Sequence, residues 1–128
     1  MSRYYLVQAE VVWESPETNR RHLDDLVSQC SEGVIVLPEM FSTGFSMAST
    51  RLAETMGGET IQWMKAKASS LRSVICGSQI IKSNDLYFNR FLWVDPAGKV
   101  LHYDKRHLFR MAAEHEHYSP GQQRITFS

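Results

Sequence analysis

The sequence has no long apolar run and no excess of charge of either sign. No segment approaches the ~20 consecutive apolar residues of a membrane-spanning helix, and the N-terminus lacks the basic and apolar segments of a secretion signal. Lys and Arg total 14, as do Asp and Glu, and the basic residues are dispersed rather than arranged in a stripe along a nucleic acid. We therefore expect a cytoplasmic protein with no nucleic-acid partner and no membrane partner.

Cysteine is scarce as well. Cys30 and Cys76 are too few for a disulfide framework, and their spacing is not that of metal ligands. Both lie in predicted core segments, so we expect small buried side chains with protonated thiols. With 128 residues, 43% of them hydrophobic, and no linker or repeat, the chain should form one α/β unit.

The stretch VIVLPEM, residues 34–40, is the centre of the predicted fold. Four apolar residues followed by Pro38 indicate a buried strand that ends at the proline. Glu39 then lies at the exit of the strand, beside Met40 and Phe41. We expect poor hydration there, which would raise the proton affinity of the carboxylate towards that of a general base. The alternative is a solvated glutamate that caps a turn or pairs with a lysine.

Residues 3–12 have the β-branched and aromatic composition of a first strand. Ser15, Pro16 and Glu17 supply an N-cap, a proline and an acid in the first turn, which open a helix that Gly33 should end. The apolar stripe of this helix consists of Leu23, Leu26, Val27 and Cys30. Together with the buried strand that follows, these segments predict a βαβ unit with parallel strands.

The second half of the chain predicts a helix and an antiparallel meander. The helix covers 59–71, with apolar residues at helical spacing. The predicted strands are 73–82, 86–95 and 99–104, joined by turns at 83–85 and 95–98. Residues 109–121 are expected to be irregular, and 124–127 could begin another strand. The expected fold class is α/β, a mixed sheet with two helices on one face.

Four short motifs follow one another along the chain. They are LPEMF at 37–41, Asn89-Arg90 before the Asp-Pro-Ala-Gly turn at 95–98, YDKRHLF at 103–109 and YSPG at 118–121. Together they resemble the nitrilase superfamily of carbon–nitrogen hydrolases, and most closely its omega-amidase branch. Members are about twice this length and form a four-layer α-β-β-α sandwich. The resemblance implies that residues 1–128 are the N-terminal half of such a domain.

The resemblance also implies roles for three charged residues. Glu39 matches the base that activates a cysteine thiol, Lys105 the cation that stabilises the tetrahedral oxyanion, and Glu114 a second glutamate that positions substrate and lysine. Amide hydrolysis through a thioester needs such groups, because a thiol must lose its proton and a carbonyl oxygen must gain negative charge. The alternative for Glu39 and Lys105 is a buried salt bridge without catalysis.

In the resembling family the nucleophilic cysteine lies beyond the Ser-Pro-Gly motif, and this sequence reaches Ser128 without it. Cys30 and Cys76 are expected to lie in the core and cannot replace it. We therefore expect the chain alone to be inactive, and its uncovered sheet face to lead to a homo-oligomer or to a complementary C-terminal half. A non-catalytic remnant that binds small acids, amides or another chain stays open, as does an unrelated small α/β binding module.

The omega-amidase branch implies a small-molecule amide as substrate, a short dicarboxylic acid monoamide of the 2-oxoglutaramate type. The residues expected to form an apolar wall around it are Met40, Phe41, Phe45 and Met47. Arg110 is predicted to bind the free carboxylate of the substrate, with an ion pair to Glu114 or Glu116 as the equal alternative.

A metal site is a minor alternative at His115 and His117. These two histidines have neighbouring glutamates, and the only other histidine nearby in the sequence that could serve as a third ligand is His107. The resembling family uses no metal, and we predict no cofactor.

Overall fold

The computed structural model describes residues 3–127, which form a five-stranded sheet with helices packed against it. The strands, in chain order and also in sheet order, are β1 (Tyr4–Leu6), β2 (Val34–Val36), β3 (Val74–Ser83), β4 (Leu86–Val94) and β5 (Val100–Asp104). The helices are α1 (Pro16–Val27), α2 (Ser49–Leu52), α3 (Glu59–Leu71), a 3₁₀ helix (Arg110–Ala112) and α4 (Glu114–His117). The first three strands pair in parallel and the last three antiparallel, so the predicted mixed sheet is confirmed.

Helices α1 and α3 pack against the same face of the sheet, as predicted. Helix α3 has the predicted bounds, and β3, β4 and β5 lie within one residue of theirs. The buried residues of this helix-side core are Leu23, Val27, Cys30, Ile35, Leu37, Phe41, Ile61, Met64, Ala68, Ile75, Ile81, Leu92 and Val94. Burying each large aliphatic side chain contributes about 1.5–3 kcal/mol, which makes this core the main force that holds the two helices on the sheet. Among residues 3–127, no helix is long and apolar enough to cross a membrane.

The prediction for the end of the first helix was wrong. Helix α1 ends at Val27 rather than at Gly33, and Leu26 is 51% exposed instead of joining the apolar stripe. Gly33 has a different role, since a Cβ there would collide with the backbone oxygen of Arg3. A glycine at this position therefore lets the start of β2 lie directly beside the start of β1.

Strand β1 is also shorter than the predicted range 3–12. Its parallel partner β2 ends at Val36, shortly before Pro38, which has no N–H to donate, so the ladder stops for both strands. Beyond this point the backbone at Val12 pairs with the side-chain amide of Asn19 instead of with a neighbouring strand. The Asn19 side chain accepts from the Val12 amide at 2.7 Å and donates to the Val12 oxygen at 2.7 Å.

The predictions for the C-terminal segment were only partly right. Within 109–121, which were expected to be irregular, the chain makes a 3₁₀ helix and α4, separated by Ala113 in the left-handed conformation at φ 61°. Residues 124–127 form no strand. Instead the ring of Phe127 lies 5.4 Å from that of Phe91 and 5.3 Å from that of Trp93.

The face of the sheet opposite α1 and α3 is called the outer face here. Because side chains alternate along a strand, its residues include Leu6, Cys76, Asn89, Phe91 and Tyr103. Phe127 covers part of this face at β4, but Leu6 at β1 is 82% exposed. An apolar sheet face thus remains open to solvent along the edge strand.

The two cysteines are core residues, as predicted. Cys30 packs in the helix-side core, and Cys76 in β3 is 2% exposed. Burial raises the pKa of the Cys76 thiol from 9.0 to about 11 and also raises that of Cys30. Both thiols therefore remain protonated at neutral pH.

Replacing Cys76 by a residue without a thiol should make the free energy of unfolding fall less steeply as the pH rises into the alkaline range. The folded chain holds this proton more tightly than the unfolded chain, so the stabilisation is present below the unfolded pKa and is lost as the pH rises towards 11. Between pH 8 and pH 10.5, the free energy of unfolding of the native chain relative to Cys76→Ala should fall by about 2 kcal/mol.

Urea unfolding followed by tryptophan fluorescence at several pH values measures this difference. Cys30→Ala is the comparison variant and should show a smaller change, because the Cys30 thiol is less deeply buried. A difference between native chain and Cys76→Ala that stays constant with pH would show that the Cys76 thiol is not held protonated by the fold.

Candidate active site

The structure brings the three charged residues singled out in the sequence to one place. The Lys105 Nζ lies 2.9 Å from the Glu39 Oε2 and 3.1 Å from the Glu114 Oε1. Glu39 follows β2, Lys105 follows β5, and Glu114 begins α4. One ammonium group is therefore shared by two carboxylates that come from distant parts of the chain.

The backbone after β2 fixes the position of Glu39. The Met40 amide donates to the Ser78 Oγ at 2.7 Å, and Met40 adopts a positive φ of 48°, which is uncommon for a residue with a side chain. Phe41 then packs on Gly77, where a Cβ would lie 2.9 Å from the ring. Met40 and Phe41 consequently turn into cores on different sides of the sheet, and the Glu39 side chain is left between them at the strand exit.

Lys105 is held through its backbone and through an aromatic ring. Its amide donates to the Asn89 oxygen at 3.0 Å, and its own oxygen accepts from the Gly121 amide at 3.0 Å. A side chain at Gly121 would collide with the backbone of Asp104, which explains why the Ser-Pro-Gly motif ends in glycine. The Nζ lies 5.2 Å from the centre of the Phe45 ring, close enough for a cation–π interaction.

Glu114 is fully buried, at 0% exposure, and its carboxylate accepts three donors. The Phe109 amide donates to Oε1 at 2.6 Å, and Lys105 donates to the same oxygen. The Asn89 Nδ2 donates to Oε2 at 3.0 Å. These contacts offset the desolvation of a buried charge, and they explain why the segment expected to be irregular instead forms α4 around this residue.

Asn89 is the site residue that sequence reasoning missed. It appeared there only as part of a motif, although its Nδ2 donates to the Glu39 Oε2 at 2.7 Å as well as to Glu114. A signal was present, because asparagine is disfavoured in the middle of a strand and usually has a specific reason to be there.

The expectation that Glu39 is poorly hydrated was wrong. Its side chain is 48% exposed, because Met40 and Phe41 point into the cores rather than over the carboxylate. Within residues 3–127 the Glu39 Oε1 takes part in no hydrogen bond, while Oε2 holds both Lys105 and Asn89. One carboxylate oxygen is thus held by two donors, and the other has no partner among these residues.

A cleft of about 300 Å³ lies beside these groups. Its polar lining includes Glu39, Ser78, Asn89 and Tyr103, and its apolar lining includes Phe91. Most of these residues belong to the outer face, so the cleft opens on that side of the sheet. A small molecule with one polar group could lie with that group against the carboxylate of Glu39.

The surroundings of Lys105 keep its ammonium charged. Burial alone would lower the pKa of Lys105, but its hydrogen bonds to Glu39 and Glu114 outweigh this effect and raise the pKa. A permanently positive group next to a cleft can stabilise an oxygen that becomes negative during a reaction.

The residues predicted to bind substrate are not all exposed at the site. Met40 and Phe41 are fully buried, so neither presents surface to a ligand in this structure. Phe45 lies at the site, against Lys105 and 6.3 Å from the Phe109 ring. Contact of Met40, Phe41 and Phe45 with the substrate stays a prediction.

Arg110 lies in a different cleft, of about 290 Å³. It lines that cleft together with three other basic side chains, those of Arg106, His107 and His115. Within residues 3–127 it forms no ion pair with Glu114 or Glu116, and Glu114 binds Lys105 instead. In the same part of the chain, no three His, Cys, Asp or Glu side chains are grouped closely enough to hold a metal ion.

Comparison with known proteins gives the same family along the whole chain. Residues 6–127 match the carbon-nitrogen hydrolase family. Omega-amidase YafV of Yersinia enterocolitica is 46% identical over 122 residues, which cover 93% of this chain and 46% of the relative. The 2-oxoglutaramate amidase of Bacillus subtilis is 28% identical over 120 residues, which cover 90% of this chain and 46% of that enzyme.

A solved structure gives the same result. XC1258 of Xanthomonas campestris, a CN-hydrolase superfamily protein, superposes with a TM-score of 0.94 at 37% identity, over 98% of this chain and 48% of its own. The chain spans about half the length of the curated relatives it matches. These matches exclude an unrelated α/β module that shares the motifs by chance, and the chain therefore belongs to the carbon–nitrogen hydrolase family.

Proposed function

We propose that this chain provides the glutamates and the lysine of an omega-amidase-like hydrolase. Its reaction would convert a short dicarboxylic acid monoamide, of the 2-oxoglutaramate type, to the acid and ammonia. The observation that carries this proposal is the Lys105 ammonium shared by Glu39 and Glu114 beside a cleft of about 300 Å³. The 46% identity to an omega-amidase over nearly the whole chain supports the substrate class.

In the proposed reaction a cysteine thiol gives its proton to the free Oε1 of Glu39 and its sulfur attacks the amide carbon. The carbonyl oxygen becomes negative and is stabilised by the ammonium of Lys105. Glu39 returns the proton to the nitrogen, the C–N bond breaks and ammonia leaves a thioester. Water, deprotonated by Glu39, then attacks the thioester and releases the acid and the thiol.

We place the thiol outside residues 3–127, on a further segment of the polypeptide or on a second chain. The supporting observation is the burial of Cys30 and Cys76. Cys76 is 2% exposed, with its pKa raised to about 11, and Cys30 packs in the helix-side core. Neither cysteine is among the residues that line the cleft beside Glu39.

Purified 1–128 should therefore release no ammonia from 2-oxoglutaramate above the uncatalysed rate. A chimera that joins it to the C-terminal half of the Yersinia enterocolitica relative should be active. In this chimera Glu39→Gln and Lys105→Met should each lower kcat by at least ~10³-fold, because they remove the proton acceptor and the oxyanion partner.

Glu17→Gln and Lys99→Met, at exposed positions away from the site, are the matched controls. Two results would contradict the proposal. One is ammonia release by 1–128 that survives thiol alkylation, and the other is a Lys105→Met chimera as fast as the Lys99→Met control.

The substrate's free carboxylate is assigned to Arg110 in this proposal, which requires the bound substrate to extend from the cleft beside Glu39 to the separate cleft that Arg110 lines. The cleft that Arg110 lines is basic, and a guanidinium binds a carboxylate through two parallel hydrogen bonds. In the chimera, Arg110→Ala should lower kcat/KM for 2-oxoglutaramate by about 10-fold or more and leave that for pentanamide nearly unchanged.

Arg21→Ala, on the exposed side of α1, is the matched control. An undiminished preference for the charged amide in Arg110→Ala would remove Arg110 from the site. If the chimera without further substitution had equal kcat/KM for 2-oxoglutaramate and pentanamide, the proposed substrate class would be wrong, although the proposed amide hydrolysis would stand.

We also propose that the outer face binds a second polypeptide surface, in a homo-oligomer or with a complementary C-terminal half. The support is the apolar face left open at β1, where Leu6 is 82% exposed. Isolated 1–128 should sediment as a dimer or larger species, since exposed apolar patches of this kind drive association.

Leu6→Lys should shift the chain towards the monomer by adding a charge to that face. Leu86→Lys, which replaces an exposed leucine at the start of β4 far from β1 in the sheet, should not. A monomeric native chain would contradict self-association through the outer face, and equal dissociation by both variants would show that the contact between copies lies elsewhere.

A further inference from the structure

Asn89 contacts every member of the charged site. Its Nδ2 donates to the Glu39 Oε2 at 2.7 Å and to the Glu114 Oε2 at 3.0 Å. Its backbone oxygen accepts the Lys105 amide at 3.0 Å. This one buried residue of β4 is therefore bound to both carboxylates through its side chain and to the lysine through its main chain.

The side-chain amide of Asn89 is fully used as a donor. An asparagine Nδ2 carries two hydrogens, which matches the two carboxylates it contacts. The group is neutral and does not titrate, so it donates to both carboxylates without changing the charge of the site. A hydroxyl has one hydrogen and could serve only one of them.

The charge balance of the site shows why this matters. Two carboxylates share one ammonium, so one negative charge is not compensated by Lys105. Carboxylates that lie close together tend to take up a proton and share it, which removes one of them as a base. Hydrogen bonds donated to the charged forms oppose that uptake.

We propose that Asn89 is a positioning residue that fixes the carboxylates of Glu39 and Glu114 relative to each other while both bind Lys105. Its contact with the Glu39 Oε2 leaves Oε1 as the oxygen that has no hydrogen-bond partner within residues 3–127, and Glu39 is one of the residues that line the cleft. This consequence for proton transfer rests on the proposed amide hydrolysis. The two hydrogen bonds themselves do not.

The other titratable groups around the site do not replace this function. Burial raises the pKa of Tyr118, the phenol that lies near Glu114, so it stays neutral, and its hydroxyl donates to the Ser46 oxygen. Tyr103 lines the cleft, and its side chain makes no hydrogen bond to Glu39 or Glu114 within residues 3–127. Arg90 lies on the helix side of β4 and binds Asp104 there.

The first test uses 1–128 itself, with ¹⁵N-labelled asparagine, and reads the side-chain amide by NMR. Both Asn89 hydrogens should resonate downfield of those of Asn84, which lies in the turn after β3, and should exchange slowly with water. Glu39→Gln should move one of the two hydrogens upfield, and Glu114→Gln should move the other, because a neutral acceptor forms a weaker hydrogen bond.

Asn19 is the matched control in the same spectra. It is as buried as Asn89, at 2% exposure, but its amide donates to the backbone oxygens of Val12 and Ser42. Its resonances should not respond to either glutamate variant. If the Asn89 resonances likewise fail to respond, or have the same chemical shifts as those of Asn84, the two hydrogen bonds from Asn89 to Glu39 and Glu114 are absent and the inference is wrong.

The second test uses the active chimera and the pH dependence of kcat/KM. Asn89→Leu should move the acid limb of the profile to higher pH, because a carboxylate without its neutral donor takes up a proton more readily. Asn19→Leu should lower stability without moving that limb. Asn89→Ser, which keeps one donor, should give an intermediate profile.

An acid limb that does not move in Asn89→Leu, with both hydrogen bonds present in the native spectra, would overturn the positioning role. If Asn89→Leu does not fold, the acid limb of the Asn89→Ser variant and the NMR response of the native Asn89 amide still test the positioning role. An inactive chimera would contradict the proposed function and would leave the spectral test of the bridge unaffected.

Discussion

The arrangement of the C-terminal part of the chain depends on the buried carboxylate of Glu114. Burying a carboxylate costs several kcal/mol unless donors surround it, and here the donors are the Phe109 amide, Asn89 and Lys105. Each donor comes from a different segment. To satisfy one charge, the chain must therefore fix the end of β5, the middle of β4 and the start of α4 relative to one another.

The same requirement links the site to the sheet. The pairing of β4 with β5 ends at Arg90 and Asp104, whose side chains bind each other at 2.7 Å on the helix side. One residue further along, Asn89 and Lys105 make the next backbone contact, and their side chains point to the outer face. The charged site thus continues the ladder of the sheet, and the rigidity of the strands sets the distances between the charged groups.

Local sequence signals were sufficient for most of the fold. The proline after β2 and the turn at 95–98 each determine local backbone geometry, and β2, β4 and β5 around them lie close to where they were predicted. The three charged site residues were identified by resemblance to a family, and the structure brings them together. Composition alone would have left them as separate surface charges.

What the sequence did not show depends on contacts between distant residues. The bridge from Asn89 joins residues 50 and 25 positions away, and no local pattern encodes it. The exposure of Glu39 depends on the positive φ of Met40, which sends two apolar neighbours into different cores. Likewise, β1 ends early because its partner strand ends, a constraint that lies in β2 rather than in residues 3–12.

The position of the cleft connects stability with the proposed chemistry. Ser78, Asn89, Phe91 and Tyr103 line it from the outer face, the same face that exposes Leu6 at the edge of the sheet. A surface that covered this face would bury its apolar residues and would also cover the cleft. Covering the cleft would remove water from around Lys105 and strengthen its interaction with a developing oxyanion. Under the proposed function, a polypeptide surface bound to the outer face would therefore both stabilise the sheet and enclose the cleft beside Glu39.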